Sequence, residues 1–298
     1  MDNANAASAA SPVNKSSLTS RVISAFVLLP VIAVLVWWSV WSVAVAVVVA
    51  TVISLRELYG AFAAGHYQPR VGLGLCVALA LVFSVALQPF VAINLLELVL
   101  TGSILVTLIV ELPRHDHAGT LPAWALTLAG AIYIGWLLSH FILLRGLRTP
   151  LSPSIFTPLD IQPGAAWVYM VLAITFIQDT AAYFVGRSMG RHKMAPLLSP
   201  KKTWEGAVGG LVGSVTTSLV CIPLLGLPLT LGAGIVIGLV GGVVGPLGDL
   251  AESLIKRQVG LKDAGSIIPG HGGVLDRADS LLFTAPTLFY LITLFTGA

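Results

Sequence analysis

Charged residues are scarce in this sequence. Asp, Glu, Lys and Arg make up 10% of its 298 residues, whereas 56% are hydrophobic. An average soluble domain is about 25% charged, and a soluble core could not bury so many apolar side chains. The composition therefore excludes an ordinary soluble domain and predicts an all-α, polytopic membrane protein. The net charge of +3 says little by itself. We expect no nucleic-acid partner.

Cysteine is almost absent. Cys76 and Cys221 lie in separate apolar runs, with no second Cys or His at the spacing of metal ligands. This excludes a disulfide framework and a cysteine-based zinc site. We expect both thiols to be buried and unreactive.

Two longer patterns are also missing. The sequence has no G-x-x-x-x-G-K-[ST] loop, so a bound nucleotide would not be held as it is in P-loop enzymes. It has no long internal repeat, which argues against a transporter built from inverted repeats.

Long apolar runs fill most of the chain. We predict about nine transmembrane helices, at residues 22–38, 41–57, 71–88, 91–110, 121–144, 165–186, 206–226, 229–248 and 281–297. Residues 1–20 are rich in Ala, Asn and Ser, which predicts a disordered polar tail. Residues 21–164 then form the N-terminal transmembrane helices. Residues 165–298 form the C-terminal transmembrane region, which carries the candidate catalytic residues.

The cations are distributed unevenly. With nine spans, only Arg145 and Arg148 of the 16 Lys and Arg residues fall on the side opposite the N-terminus. The positive-inside rule therefore places the N-terminus and both charged loops in the cytoplasm.

Glycines recur four residues apart in the predicted helices seven and eight. The pairs are Gly206/Gly210, Gly234/Gly238 and Gly241/Gly245. Such spacing lets helix backbones approach closely in a membrane. The pattern fits tight packing within one subunit as well as the seam of a homodimer.

The first charged segment follows the predicted helix six. Asp179, Tyr183 and Arg187 are four apart, so they line one face of its inner end. Hydroxyl and ammonium groups stand just before helix seven, on Ser199, Lys201, Lys202 and Thr203. The free N–H groups of that helix would favour an anion there. The alternative is that the two lysines are only a solvated, lipid-facing pair.

The second charged segment is denser. Helical spacing brings five polar side chains onto adjoining faces, those of Asp249, Glu252, Ser253, Lys256 and Arg257. Two carboxylates with phosphate oxygens and water make a usual Mg²⁺ shell. Asp249 is the first candidate, and Asp276 is the second if the loop at residues 269–273 folds it back. The alternative is that Asp276 and Asp279 only pair with Arg277 and Lys262.

Two single residues can be interpreted in two ways. His271 stands between glycines and has room to donate to a phosphate, but a lone histidine is as readily structural. Glu97 is alone in the predicted helix four, and we expect it to make a polar contact inside the bundle rather than to take part in catalysis.

In its C-terminal part the chain resembles the phosphatidate cytidylyltransferases, also called CDP-diacylglycerol synthases. Their pattern is S-x-x-K-R-x-x-x-x-K-D, followed after a short link by P-G-H-G-G-x-x-D-R-x-D. The matching residues are Ser253, Lys256, Arg257, Lys262, Asp263, Pro269, Gly270, His271, Gly272, Gly273, Asp276, Arg277 and Asp279. The specific resemblance covers residues 179–280.

The resemblance implies transfer of the cytidylyl group of CTP to phosphatidic acid, giving CDP-diacylglycerol and pyrophosphate. It implies a metal centre with Mg²⁺, and a second cation such as K⁺, at Asp249 and Asp276. Lys256 and Arg257 join these two as expected catalytic residues. Substrate binding is expected at Arg187, Ser199, Lys201, Lys202, Thr203, Ser253, Lys262, His271 and Arg277.

The expected partners are CTP, phosphatidic acid and the lipid bilayer. The expected location is a bacterial cytoplasmic (inner) membrane, with the site facing the cytoplasm. Two alternatives stay open. A CTP-using polyprenol or phytol kinase would transfer the γ-phosphate to an alcohol, and an anion transporter would move its solute without chemistry.

Overall fold

The computed structural model describes residues 18–113, 119–265 and 272–297, with the side chains of the first helix described from Leu28 onward. Most of the predicted polar tail, residues 1–17, lies outside the described residues, as does His271. The first helix includes residues 18–20, which the sequence predicts to belong to the tail.

Helices make up most of the described chain. They are α1 (Leu18–Trp38), α2 (Val40–Ala64), α3 (Val71–Leu87), α4 (Leu95–Ile109), α5 (Thr120–Ala131), α6 (Leu137–Gly146), α7 (Pro163–Met189), α8 (Trp204–Leu225), α9 (Leu231–Gln258) and α10 (Leu275–Thr296). A π-helical turn at Ile132–Trp136 joins α5 to α6 in one continuous run. Short 3-10 helices at Gln88–Phe90 and Thr157–Leu159 complete the helical structure of these ranges.

The helices have the lengths expected of a membrane protein. Within the described ranges, seven helical runs are long and apolar enough to cross a bilayer. Two other apolar stretches are shorter, namely Leu95–Ile109 and Leu28–Trp38, the latter being the part of α1 whose side chains are described. The predicted all-α, polytopic fold is confirmed, and nine spans is an approximate number.

The glycine pairs pack within one subunit. A side chain at Gly210 would lie 2.8 Å from Gln178 of α7, and one at Gly238 would lie 2.5 Å from the Val215 backbone of α8. Ser214 Oγ donates to the Gly238 carbonyl oxygen at 2.5 Å. Close approach and interhelical hydrogen bonds both stabilise helix pairs in lipid. The interpretation as packing inside one subunit is therefore confirmed for these faces.

A buried arginine organises the end of the bundle that lies far from the charged segments. Arg145, at the end of α6, donates from Nε to the Val36 carbonyl oxygen at 2.8 Å. It also donates to the Trp37 carbonyl oxygen at 3.4 Å and to Gln162 Oε1 at 2.9 Å. The last carbonyls of a helix have no partner within that helix and carry partial negative charge. Arg145 therefore closes the end of α1 and joins it to α6.

A small β-hairpin interrupts the helices. β1 (Lys193–Ala195) and β2 (Ser199–Thr203) are antiparallel, with Lys193 opposite Thr203. β2 runs directly into α8, where the Thr203 hydroxyl accepts a hydrogen bond from the Gly206 N–H at 3.2 Å. The predicted anion-binding residues before helix seven are thus held on a strand rather than in a loop.

The last two helices extend beyond their predicted bounds. α9 continues through the charged residues to Gln258, and α10 begins at Leu275 rather than at residue 281. Hydropathy alone does not reveal these turns, because they are polar. Asp276, Arg277 and Asp279 are consequently helical.

Two predictions about single residues are wrong. Cys76 is exposed on α3, and only Cys221 is buried, although both thiols are free. A cysteine is small and apolar enough to face lipid without cost. Glu97 is exposed in the first turn of α4, where it accepts a hydrogen bond from Asn94 Nδ2 at 2.7 Å. A helix N-terminus stabilises a carboxylate there, so Glu97 needs no partner inside the bundle.

Candidate active site

The charged segments meet at one end of the bundle, which we call the site end. It is formed by the C-terminal ends of α2, α7 and α9, the N-terminal ends of α8 and α10, and the hairpin. At Gly186 of α7 a side chain would lie 3.0 Å from Thr203 Oγ1, so the hairpin rests directly on α7.

Lys202 and Asp249 form the first ion pair of the site. Lys202 Nζ lies 2.8 Å from Asp249 Oδ2 and donates to the Pro246 carbonyl oxygen at 3.2 Å. Ser253, one turn further along α9, donates to Asp249 Oδ1 at 3.3 Å. The structure thus brings together three of the predicted residues, from β2 and α9. Both charged side chains are partly exposed, so a ligand can reach them.

Two further carboxylates lie close to Asp249. Asp279 of α10 interacts electrostatically with both Asp249 and Asp179, and Asp179 of α7 interacts with Lys202 and Arg277. Three helices therefore contribute an acidic cluster of Asp179, Asp249 and Asp279.

Lys256 joins α9 to α10. Its Nζ lies 2.5 Å from Glu252 Oε2 and 2.7 Å from Asp276 Oδ1. The Glu252 side chain is 1% exposed and that of Asp276 is 9% exposed. A buried carboxylate requires such a partner, because desolvation of an unpaired charge is costly. Lys256 thus balances two acids that would otherwise repel each other.

Asp276 also binds the loop before α10. Its Oδ2 accepts the Gly273 N–H at 2.8 Å, and the Ala264 N–H lies 3.2 Å from both carboxylate oxygens. The sequence predicted Asp276 as the metal partner of Asp249. In the structure Asp276 pairs with Lys256, whereas Asp249 pairs with Lys202 and lies near Asp179 and Asp279. The metal role of Asp276 stays a prediction.

The remaining predicted basic residues surround this centre. Arg257 donates to the Leu198 carbonyl oxygen at 3.3 Å and to the Leu261 carbonyl oxygen at 3.2 Å, so it fixes the hairpin turn against the end of α9. Arg187 is exposed and donates to the Tyr183 hydroxyl at 2.8 Å. The other predicted binding residues comprise the exposed Lys201, Lys262 and Arg277, the half-buried Ser199 and the buried Thr203.

Thr203 has a defined structural role. Its side chain is buried, and its hydroxyl oxygen is used in the cap of α8. The role in substrate binding that the sequence predicted for Thr203 stays a prediction.

The donor set suits a hard cation. Within the ranges that the structure describes, no group of three or more His, Cys, Asp or Glu side chains stands in ready ligand geometry. Asp179, Asp249 and Asp279 nevertheless supply hard carboxylate oxygens, and Mg²⁺ keeps several waters when bound by few protein ligands. These three residues therefore fit Mg²⁺ better than they fit a softer metal.

Sequence reasoning assigned no site role to Asp179, Glu252 and Asp279, or to Glu57 of α2. Glu57 accepts hydrogen bonds from the Val274 N–H at 3.1 Å and the Leu275 N–H at 2.8 Å. One feature of the sequence could have indicated a site role for two of them. Glu57 and Asp179 each stand as a lone carboxylate at the end of an apolar run, where burying a carboxylate costs free energy unless it has a partner.

An apolar cleft adjoins the site end. It has a volume of about 470 Å³ and runs between α2, α5 and α9. Its lining includes Leu58, Phe62, Leu126, Leu254 and Ile255. The last two lie between Ser253 and Lys256 in sequence, so a single turn of α9 carries both apolar lining and an ion-paired side chain. The arrangement suits an amphiphile with an anionic head and an apolar chain.

Comparison with known proteins agrees with this arrangement. The chain is 31% identical over 289 residues to the phosphatidate cytidylyltransferase of Synechocystis, covering 93% of this chain and 97% of that protein. It is 40% identical over 171 residues to the phosphatidate cytidylyltransferase of Bacillus subtilis, covering 57% and 58%. It is 43% identical over 171 residues to YnbB of Escherichia coli, covering 57% and 56%. The matches to the last two thus span little more than half of each relative. The pattern of the Cytidylyltransferase family matches residues 19–295, nearly the whole sequence, and the chain belongs to that family.

Proposed function

We propose that this protein transfers the cytidylyl group of CTP to phosphatidic acid, giving CDP-diacylglycerol and pyrophosphate. The observation that carries the proposal is that one helix, α9, bears the ion-paired Asp249 and Lys256 and also, at Leu254 and Ile255, part of the lining of the apolar cleft. A triphosphate and a lipid can meet only where cations and hydrocarbon surface adjoin. The names of the Synechocystis and Bacillus relatives support the same reaction.

The chemistry brings two anions together. A phosphate oxygen of phosphatidic acid attacks the α-phosphorus of CTP, the bond from that phosphorus to the bridging oxygen breaks, and pyrophosphate leaves. Lys202, Lys256 and Arg257 lower the repulsion on approach and stabilise the charge of the transition state. A general base is not needed, because a phosphate monoester with a second pKa of about 6 is mostly ionised near neutral pH.

The proposal includes Mg²⁺, held by Asp249 with Asp179 and Asp279, and by Asp276 as the sequence predicts. When bound, it supplies positive charge to the phosphate oxygens. A second cation such as K⁺ belongs to the same proposal. Ser253 and Lys202 hold the Asp249 carboxylate in one orientation.

The proposed orientation places the site end in the cytoplasm of a bacterial cell, where CTP is made. The excess of Lys and Arg on that side supports it. The glycine faces of α8 and α9 are covered by helices of the same chain, so a homodimer would use another surface.

The test uses purified protein in mixed micelles with Mg²⁺, phosphatidic acid and CTP labelled separately at the α- and γ-phosphates. We expect the α-label in lipid and the γ-label in pyrophosphate. The γ-label in lipid would mean a polyprenol- or phytol-type kinase, once an alcohol acceptor is supplied. Uptake of intact CTP into sealed vesicles, with no chemistry, would mean a transporter. The family membership favours neither alternative.

A further inference from the structure

Glu57 connects the N-terminal helices to the candidate site. It lies near the end of α2, and its side chain binds the start of α10, more than 200 positions away in sequence. Each carboxylate oxygen accepts one backbone N–H, from Val274 and from Leu275. These N–H groups have no partner within the helix, and the helix N-terminus stabilises a negative charge.

The backbone comes very close to this carboxylate at two glycines. A side chain at Gly273 would lie 2.6 Å from Glu57 Oε2, and one at Gly265 would overlap Glu57 Oε1. Both ends of the loop before α10 thus approach Glu57 as closely as backbone allows. Only glycine permits that approach on either side.

The same helix turn carries the acids of the site. Asp276 follows Leu275 directly, and Asp279 lies one turn later. Glu57 already occupies the N–H groups of Val274 and Leu275, so these two groups are not open to a substrate phosphate. The start of α10 instead contributes to the site through the side chains that it positions.

We propose that Glu57 is a positioning residue for the cytidylyl transfer proposed above. By binding the start of α10, it fixes where Asp276 and Asp279 lie relative to α9. The inference rests on the proposed function. It also gives the N-terminal helices a part in the site, whereas the sequence predicts a catalytic region wholly within residues 165–298.

The test compares the full-length variants Glu57→Gln and Glu111→Gln. Glutamine keeps the size of Glu57 but sets an NH₂ group against a backbone N–H. Glu111 is a matched control, since it is 6% exposed against 7% for Glu57 and pairs with Arg70 instead of the site. Two quantities are measured in mixed micelles, the steady-state constants and the amide hydrogen exchange of peptides that contain Val274 and Leu275.

We expect kcat of Glu57→Gln to fall at least about tenfold with KM for CTP little changed, because misplacement by about 1 Å can cost a factor of 100. Exchange at Val274 and Leu275 should accelerate. Glu111→Gln should keep wild-type values of both. Glu57→Asp, which restores two acceptor oxygens on a shorter side chain, should recover part of kcat.

Wild-type kcat or unchanged exchange in folded Glu57→Gln would overturn the proposal. If that variant does not fold, Gly273→Ala is measured in the same assay. The new methyl group disturbs the contact with Glu57 while the carboxylate remains. Wild-type kcat in Gly273→Ala would also overturn the proposal. If the wild-type protein makes no CDP-diacylglycerol, the proposed function fails instead, and hydrogen exchange alone decides whether Glu57 holds α10.

Discussion

Lys202 Nζ lies 2.8 Å from Asp249 Oδ2, and this ion pair joins the β-hairpin to the middle of the membrane-associated helix α9. The side chains are 21% and 33% exposed. An exposed ion pair contributes little stability, because water and salt screen it. We therefore expect the pair to matter for substrate binding rather than for stability.

Asp249→Asn should abolish turnover while leaving the protein folded. The amide keeps the shape of the side chain but loses the charge that attracts Lys202 and a divalent cation. We expect kcat to fall by a factor on the order of 10³, as when a major electrostatic group is removed from a site. The measurement is incorporation of α-labelled CTP into lipid.

The control for this prediction is Glu97→Gln. Glu97 is an exposed carboxylate at the start of α4, and its loss should leave turnover unchanged. Near-normal turnover in Asp249→Asn would remove Asp249 from the metal centre.

Lys256→Met should destabilise the fold. It leaves Glu252 and Asp276 without their shared cation, and removing one partner of a buried ion pair costs about 3–5 kcal/mol. Denaturant unfolding in detergent measures the change in the free energy of unfolding. Adding Glu252→Gln should recover part of the loss, since one buried charge disappears. A loss below about 1 kcal/mol would show that the pair behaves as a surface one.

Gly238→Val should disrupt the packing of α8 against α9. The new side chain would meet backbone atoms of Val215, which cannot move aside as the end of a side chain can. Overpacking of this kind costs about 1–3 kcal/mol or more.

Gly60→Ala is the control for this prediction, because no atom outside its own stretch of helix lies within 4 Å of its new methyl group. It should stabilise α2 by up to about 1 kcal/mol. Equal thermal stability of the two variants would contradict the close approach.

Leu126→Trp should weaken binding of long-chain lipid. The indole would fill part of the cleft between α2, α5 and α9. We expect KM for long-chain phosphatidic acid to rise about tenfold, equivalent to about 1.4 kcal/mol. KM for a short-chain lipid should change little. Leu105→Trp, on the exposed side of α4, provides the control. Unchanged KM for both lipids would exclude the cleft as the chain site.

Local properties of the sequence predicted much of this structure. A membrane-spanning helix needs an apolar run of about 20 residues, and such a run is a local feature that the sequence shows directly. The spacing of Asp249, Ser253 and Lys256 predicts adjoining faces of one helix, and the structure places these residues along α9. The hydrogen bond between Ser253 and Asp249 follows from that spacing.

Long-range contacts explain what the sequence could not predict. α10 begins early because Glu57, on a distant helix, stabilises its first turn. Asp179 and Asp279 lie 100 positions apart, and no periodicity connects them. The hairpin was missed because β2, with the sequence Ser-Pro-Lys-Lys-Thr, shows no alternation of apolar and polar residues and contains a proline.

Lys202 and Lys256 are both neutralised by acids of the chain itself. We therefore expect an entering anion to compete with these carboxylates for the two ammonium groups. A monovalent anion brings no more charge than the acid with which it competes, whereas a triphosphate brings several charges at once. We infer that the resident acids favour polyphosphates over simple salts at this site.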